Sequence, residues 1–460
     1  MENFKSFITE ESNEKYNVLI ISTEHGDKGK TAERLQNEAK KLGLPFYTVA
    51  MKGTYIQFSD GKYTIHRGDD KKGFVMDRYN TVCFMRGTPE RDSYLDLVSQ
   101  IEKIGIPIVN SRFCLDVCAD KYRTYLKLKD FGLDQPKTQL CSSPEHIERA
   151  FENLDTQYPI ILKTLRGSKG IGVLFVETER SLSSLVQTLY KVDTKADLLV
   201  QEYIKTDYDV RAIVLDGKVI AAMRRDTVKG DFRSNASQGA EVKSFKLTKL
   251  ETDQCIHAAK SVGGIFTGVD FIPSKNRETE NPKFLEVNSS PGTEGIEDAS
   301  GLNVNKMVLE YFMDTKNRYP APTECGYYET ITINPFGSLV GKFDTGNSKY
   351  SVLHADNLKV VGGKVTFTLN GKTVTTKHYG TYVSVTGGGE DERYIVKFDM
   401  EFAGTLYKGV EFGLDNRERM GTEVLFNRKT MNLFNVVVSP RRKYMVSTKA
   451  EIKEKKLENR

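Results

Sequence analysis

Phe284-Leu-Glu286-Val-Asn288-Ser-Ser-Pro-Gly292 is the segment from which the rest of the chain can be read. Along a β-strand, side chains two apart share a face. Glu286 and Asn288 are therefore expected to point the same way, with Leu285 and Val287 turned to a core. Gly268-Val-Asp270-Phe-Ile272 reads as a neighbouring strand that brings a second carboxylate. Oxygen donors from adjacent strands suit a hard cation such as Mg²⁺, which takes one or two carboxylates and leaves its other positions to phosphate and water. Alone, the same residues are also what a half-buried strand shows to solvent.

A second segment narrows the choice. Arg166-Gly-Ser-Lys-Gly-Ile-Gly172 joins two predicted strands, 159–163 and 173–177. Gly167, Ser168, Gly170 and Gly172 allow backbone amides to approach phosphate oxygens closely. No Gly-Lys-Ser/Thr opens a helix here, so it is not a Walker A loop, and a loop between two strands is not a dinucleotide fingerprint. Lys163 lies on the strand before it. Lys121 lies on a helix predicted over 116–131. Two lysines, a glycine loop and a carboxylate–amide cation site are the parts that hold a triphosphate.

Around these segments, strands and helices alternate. Strands are expected at 16–22, 45–50, 81–86 and 106–109, with a helix at 31–42 and a hairpin about Asp60-Gly61, which means an α/β layer with a parallel sheet. Further strands are expected at 198–203, 210–215 and 219–224, the last two joined by Asp216-Gly217. Helices are expected at 181–190, 248–262 and 304–313. Residues 317–326 hold Pro320, Pro322 and Gly326 and read as a linker. Beyond it the apolar period becomes two, and strands at 329–333, 340–343, 365–369, 374–377, 394–402 and 407–412 predict a small barrel. Residues 449–460 are a charged tail.

With these residues in hand, the segment over roughly 15–315 resembles the RimK-type ATP-grasp ligases, which add glutamate to carboxyl termini. The match runs through Asp120-Lys121, Lys163, 167–172, Gln201-Glu-Tyr-Ile-Lys205, Asp209-Val-Arg211, Arg224-Arg225, Gly230-Asp-Phe-Arg233-Ser-Asn235, Asp270 and 286–292, in family order. The resemblance implies an α/β pre-ATP-grasp domain over 15–113 and two α+β ATP-grasp subdomains over 114–315. It also implies roles. Lys121 and Lys163 would bind ATP phosphates. The backbone of Tyr203 and Ile204 would read adenine, with Glu202 nearby, and Asp209 would face the ribose. Asp270, Glu286 and Asn288 would hold two Mg²⁺ ions, Mn²⁺ being the alternative. Arg211, Arg225, Arg233 and Asn235 would surround the γ-phosphate and the carboxylate to be activated. Arg86, after a strand end, would meet substrate. The expected reaction is ADP-forming ligation of L-glutamate to a protein or peptide C-terminus, such as that of ribosomal protein S6. A ligase for another amino acid or a small peptide is the alternative. Homo-oligomers are expected from the same resemblance.

After a linker at 316–327, residues 328–448 carry Val340-Gly-Lys-Phe-Asp344-Thr-Gly346. With Leu414-Asp-Asn-Arg417 and Leu425-Phe-Asn-Arg428, they resemble the retropepsin-like family often labelled ATP-dependent zinc protease. Such a barrel would trim or bind the product tail. Peptidase chemistry needs two carboxylates sharing a proton, and one chain supplies one Asp-Thr-Gly, so Asp344 would need a second copy or another acid. Asn347 and the pair Phe426-Asn427 depart from that family's pattern. His354 and His378 are isolated, and no His-Glu-x-x-His stands for zinc. The alternative is a non-catalytic peptide-binding module.

Composition sets outer limits. Of the 460 residues, 38% are hydrophobic and 28% charged, as in ordinary globular chains. A net charge of +5 with interspersed signs does not call for nucleic acid. No apolar run spans a membrane, the first residues do not read as a secretory signal, and six scattered cysteines suit a reducing cytoplasm.

Overall fold

A computed structural model describes residues 15–23, 30–60, 62–68, 70–78, 80–89, 91–165, 172–227, 241–318, 322–386 and 389–454. The chain divides into two compact units, Met1–Pro320 and Ala321–Arg460, each with its own hydrophobic core.

The first unit contains three main sheets. β1 (Asn17–Ser22), β2 (Phe46–Ala50), β3 (Thr81–Arg86) and β4 (Ile108–Val109) form a parallel sheet in the order β2-β1-β3-β4. Val18 to Ile21 are fully buried, because a parallel strand covered on both faces must be apolar throughout. β5 (Thr138–Cys141), β6 (Ile160–Thr164), β7 (Val173–Val176) and β8 (Leu198–Glu202) form an antiparallel sheet in the order β7-β6-β8-β5. β9 (Tyr208–Leu215), β10 (Lys218–Asp226), β11 (Val242–Ser244), β12 (Phe266–Ile272) and β13 (Lys283–Asn288) form the third, also antiparallel, in the order β11-β10-β9-β12-β13. The helix Lys249–Ser261 packs Cys255, Ala258 and Ala259 against Val210, Phe271 and Val287 of this sheet. Its small side chains let it lie close.

Two expectations in this unit are corrected. The single helix over 116–131 is two helices, Arg112–Cys118 and Lys121–Asp130. Asp120 lies between them in an extended conformation and accepts hydrogen bonds from the amides of Tyr122 and Arg123, at 2.9 and 3.0 Å. This cap starts a new helix at Lys121. In β13 the buried residues are Phe284 and Val287, and Leu285 is only half-buried. Asp270 pairs with Glu286 but Phe271 pairs with Phe284, so Leu285 is the extra residue of a β-bulge and the period of two breaks there.

The second unit is a β-barrel. β14 (Tyr328–Ile333), β15 (Gly337–Phe343), β16 (Ser351–His354), β17 (Gly389–Phe402), β18 (Thr405–Asp415) and β19 (Val424–Phe426) run in the order β14-β15-β19-β16-β18-β17, and β14 also pairs with β17 to close the ring. Phe336, Phe367, Phe398, Phe412 and Phe426 fill its core. Residues Thr323–Gly326, expected as linker, are a strand paired in parallel with Val436–Ser439. Cys325 is fully buried, which draws this segment into the barrel's core. Among the described residues, no helix is long and apolar enough to cross a membrane.

Candidate active site

Antiparallel pairing sets three charges in a row on the third sheet of the first unit. Arg211 on β9 faces Asp270 on β12, which faces Glu286 on β13. Arg211 grips Asp270 with two hydrogen bonds, Nε to Oδ1 at 2.7 Å and Nη2 to Oδ2 at 2.5 Å, and its Nη2 lies 3.9 Å from Glu286 Oε1. Asn288 donates from Nδ2 to Glu286 Oε1 at 3.1 Å, so the two side chains share the face expected of them. Across the row from Asn288 stands Gly268. A Cβ there would lie 2.9 Å from Pro291 Cβ and 3.7 Å from the Arg211 side chain, so glycine makes room for both.

Arg225 on β10 enters from the side and is 4% exposed. Its Nε and Nη2 bond both oxygens of Asp209, at 2.6 and 2.8 Å, and Nη2 reaches Asp270 Oδ2 at 3.0 Å. Asp209, expected beside a ribose, is buried with both oxygens on Arg225. Burial opposes the charge on Arg225, but Asp270 and Asp209 outweigh it and hold the guanidinium protonated. Asp270 is also desolvated, yet Arg211 and Arg225 pull its carboxyl below the usual range. Arg224 turns away and lies over the Tyr208 ring, 3.8 Å from its centroid.

The expected phosphate-binding lysines come together with Glu286. Lys121 opens its helix, and its amide bonds the carbonyl of Leu165 just past β6, at 3.1 Å. Lys163 on β6 is half-buried. Desolvation lowers its ammonium to about 8, with Glu286 opposing and the like charge of Lys121 reinforcing. Desolvation lowers Lys121 too, against Glu286 and Asp120. Gly172 closes the glycine loop at φ 78°, where a Cβ would sit 2.3 Å from Thr164 Oγ1. Gly167, Ser168, Gly170, Arg233 and Asn235 lie outside the described residues. At the end of β8, Glu202 accepts from the Lys137 amide at 3.1 Å, and the Tyr203 ring meets Phe175 edge-on at 5.0 Å. Ile204 follows, half-buried.

Arg86 is not open to substrate. It is buried, and its Nη2 donates to the Pro291 carbonyl at 2.7 Å, while the Gly87 amide donates to Ser290 Oγ at 2.8 Å. Desolvation lowers its pKa to about 10. Together these contacts fasten the loop after β13 to the end of β3. Asn110, which nothing in the sequence marks, adds a second fastening. It donates to the carbonyls of Phe266 and Ser289, both at 2.6 Å, and accepts from the amides of Ile265 and Phe266, at 2.7 and 3.0 Å.

In the second unit, the Asp344 amide bonds the Phe426 carbonyl at 3.1 Å, and its Oδ1 accepts from the Gly346 amide at 2.9 Å. Asn347 and Asn427, the departures noted above, are stitches. Asn347 holds the Tyr350 carbonyl at 2.8 Å, and buried Asn427 caps the helix Arg428–Phe434 and bonds Ser351. Both ring nitrogens of His354 are engaged, by Asp356 and by the Arg417 amide.

Residues 118–312 match the RimK-like ATP-grasp domain. A probable alpha-L-glutamate ligase of Psychromonas ingrahamii is 39% identical over 286 residues, 61% of this chain and 90% of that protein. A probable alpha-L-glutamate ligase 2 of Pseudoalteromonas atlantica is 31% identical over 296 residues, 64% of this chain and 94% of that protein. In fold, the ATP-grasp ligase PsnB, solved with a phosphomimetic variant of its minimal precursor, Mg and ADP, superposes with a TM-score of 0.50 and 18% identity, over 65% of this chain and 98% of its own. The family match and these relatives make the chain an ATP-dependent carboxylate–amine ligase, an enzyme that forms an amide bond. The chain belongs to the alpha-L-glutamate ligase family of RimK-like ATP-grasp proteins.

Proposed function

We propose that the first unit joins L-glutamate to the C-terminal carboxylate of a protein or peptide, through an acyl phosphate made with ATP. The row of Arg211, Asp270 and Glu286, with Asn288 beside it and Lys121 and Lys163 within electrostatic reach, carries this reading. A carboxylate resists amines because its leaving group would be oxide. Phosphorylation supplies a better one, and preorganised cations favour the charge that develops on the way. Two carboxylates and an amide on adjacent strands are a donor set that fits Mg²⁺, so Asp270, Glu286 and Asn288 are its proposed holders. When bound, the ion would neutralise phosphate charge and act as a Lewis acid. Lys121 and Lys163 hold phosphate oxygens. Arg225, fixed by Asp209, keeps a permanent positive charge at the sheet, and Arg211 faces the reacting groups.

Incubation with ATP, Mg²⁺, glutamate and acceptor peptides, ribosomal protein S6 among them, tests this by mass spectrometry. Glutamyl mass increments are expected, and their absence with every acceptor sinks the reading. A panel of amino acids in an ADP-release assay separates it from ligation of another amino acid. Glu286→Gln is expected to abolish ADP formation; retained turnover refutes the cation assignment.

For the second unit we propose a retropepsin-like barrel that handles the acidic tail. Residues 321–460 hold 21 Lys and Arg against 16 Asp and Glu, so the chain's whole net charge of +5 lies in this unit. That excess favours an acidic ligand. Asp344→Asn is expected to leave ligation intact. Longer tails in that variant mean trimming, and unchanged tails mean binding.

A further inference from the structure

The two arginines at the candidate cation site are held differently. Arg225 is 4% exposed and is shared between Asp209 and Asp270, so its position does not depend on Asp270 alone. Arg211 is 17% exposed, and its charged contacts are Asp270 and, at 3.9 Å, Glu286. These are the two carboxylates from which the cation site would be built. Gly268 beneath its stem adds no Cβ to pin it. Adjacent carboxylates repel unless positive charge lies with them, and the guanidinium that reaches both is a weaker bridge between them than a divalent ion is.

We infer that Arg211 is an exchangeable counter-cation. It bridges Asp270, which Arg225 also holds, and Glu286, which Lys121 and Lys163 also face, and yields both when a divalent ion arrives. The displaced guanidinium then remains on the same face of the sheet, free to take an anionic oxygen of nucleotide or acceptor. Arg211 thus suppresses metal binding until phosphate is present, which couples the arrival of metal and nucleotide. The inference rests on the divalent-cation reading above.

Mn²⁺ binding to the full chain, followed by electron paramagnetic resonance with and without a non-hydrolysable ATP analogue, tests both separately. Arg211→Gln is expected to tighten nucleotide-free Mn²⁺ binding on the order of tenfold, a usual size for coupling between two binding events. The gain should shrink once the analogue is bound. Arg211→Lys, which keeps the charge, should stay near wild type. Wild type that takes up Mn²⁺ with the analogue while Arg211→Gln binds no tighter without it overturns the inference alone. Wild type that takes up none even with the analogue overturns the cation reading as well. If Arg211→Gln does not fold, wild-type NMR of arginine Nε–H groups decides, with the Arg211 signal identified by its loss in Arg211→Lys. That signal should move on adding Mg²⁺ and analogue; a signal that stays fixed overturns the exchange.

Discussion

Arg225 lies between Asp209 and Asp270, and removing Asp209 leaves two guanidiniums, Arg211 and Arg225, on the single buried carboxylate of Asp270. Asp209→Asn is expected to cost about 3–5 kcal/mol of stability, read as a fall in Tm, whereas Arg224→Gln, altering a guanidinium that covers Tyr208, should cost far less. Lys163 behaves differently. Desolvation lowers its pKa to about 8 in the folded chain, while a free lysine titrates near ~10.4. Between these values the unfolded chain keeps a proton that the folded chain has released, so this group's contribution to stability rises with pH through that window. Lys163→Met is therefore expected to raise the Tm of the unliganded protein at neutral pH and to abolish the further rise given by ADP. Phosphate favours the ammonium, so nucleotide affinity should fall as pH rises through about 8. Calorimetry in buffers of different ionisation enthalpy should show proton uptake on binding near that pH. The residue types at this site were legible because a carboxylate, an amide and lysines have few other joint uses. Their internal pairing was not, because Asp209 shows its partner only once the register is known.

Register is decided at the level of elements. Counting back from the Asp216-Gly217 turn pairs residue 209 with 224. An irregularity between Ile213 and Val214 shifts the ladder by one, and Asp209 meets Arg225 instead. Leu285 does the same in β13, where the bulge allows Phe284 and Val287 both to face inward and still leaves Glu286 and Asn288 together on the other side. Period-two reasoning found the pair that faces the site and misassigned one of the residues behind it, because a bulge leaves no mark in an apolar run. The glycine in the adjoining strand gives a sharper test. Gly268→Ala would drive a methyl group to within 2.9 Å of Pro291. Overpacking of this kind costs about 1–3 kcal/mol, and because Pro291 is bonded to Arg86, ADP formation should fall more than the Tm alone would suggest.

At the scale of the molecule, the chain divides after Pro320, within the segment that holds Pro320 and Pro322, where the apolar period in the sequence becomes two. The strand Thr323–Gly326 escaped because its partner, Val436–Ser439, is more than a hundred residues away. Averaging charge over the whole chain hid the fact that the first unit is neutral and the second basic. Since each unit buries its own core, a fragment ending at Pro320 is expected to fold and to form ADP with kcat within about threefold of the full chain, as a self-sufficient domain should. Loss of turnover in a folded fragment would assign part of the ligase chemistry to the barrel.

All four hydrogen bonds of Asn110 go to main-chain groups of residues 265, 266 and 289. A side-chain amide can make just that many, so this residue reads the path of the chain and is blind to the identity of the side chains along it. Asn110 therefore sets no demand on the side chains at Ile265 and Ser289 beyond what their own packing requires. Saturation mutagenesis should find Asn110 less tolerant than Ile265, whose half-buried side chain accepts other apolar residues, a contrast that an inspection of side-chain partners would not foresee.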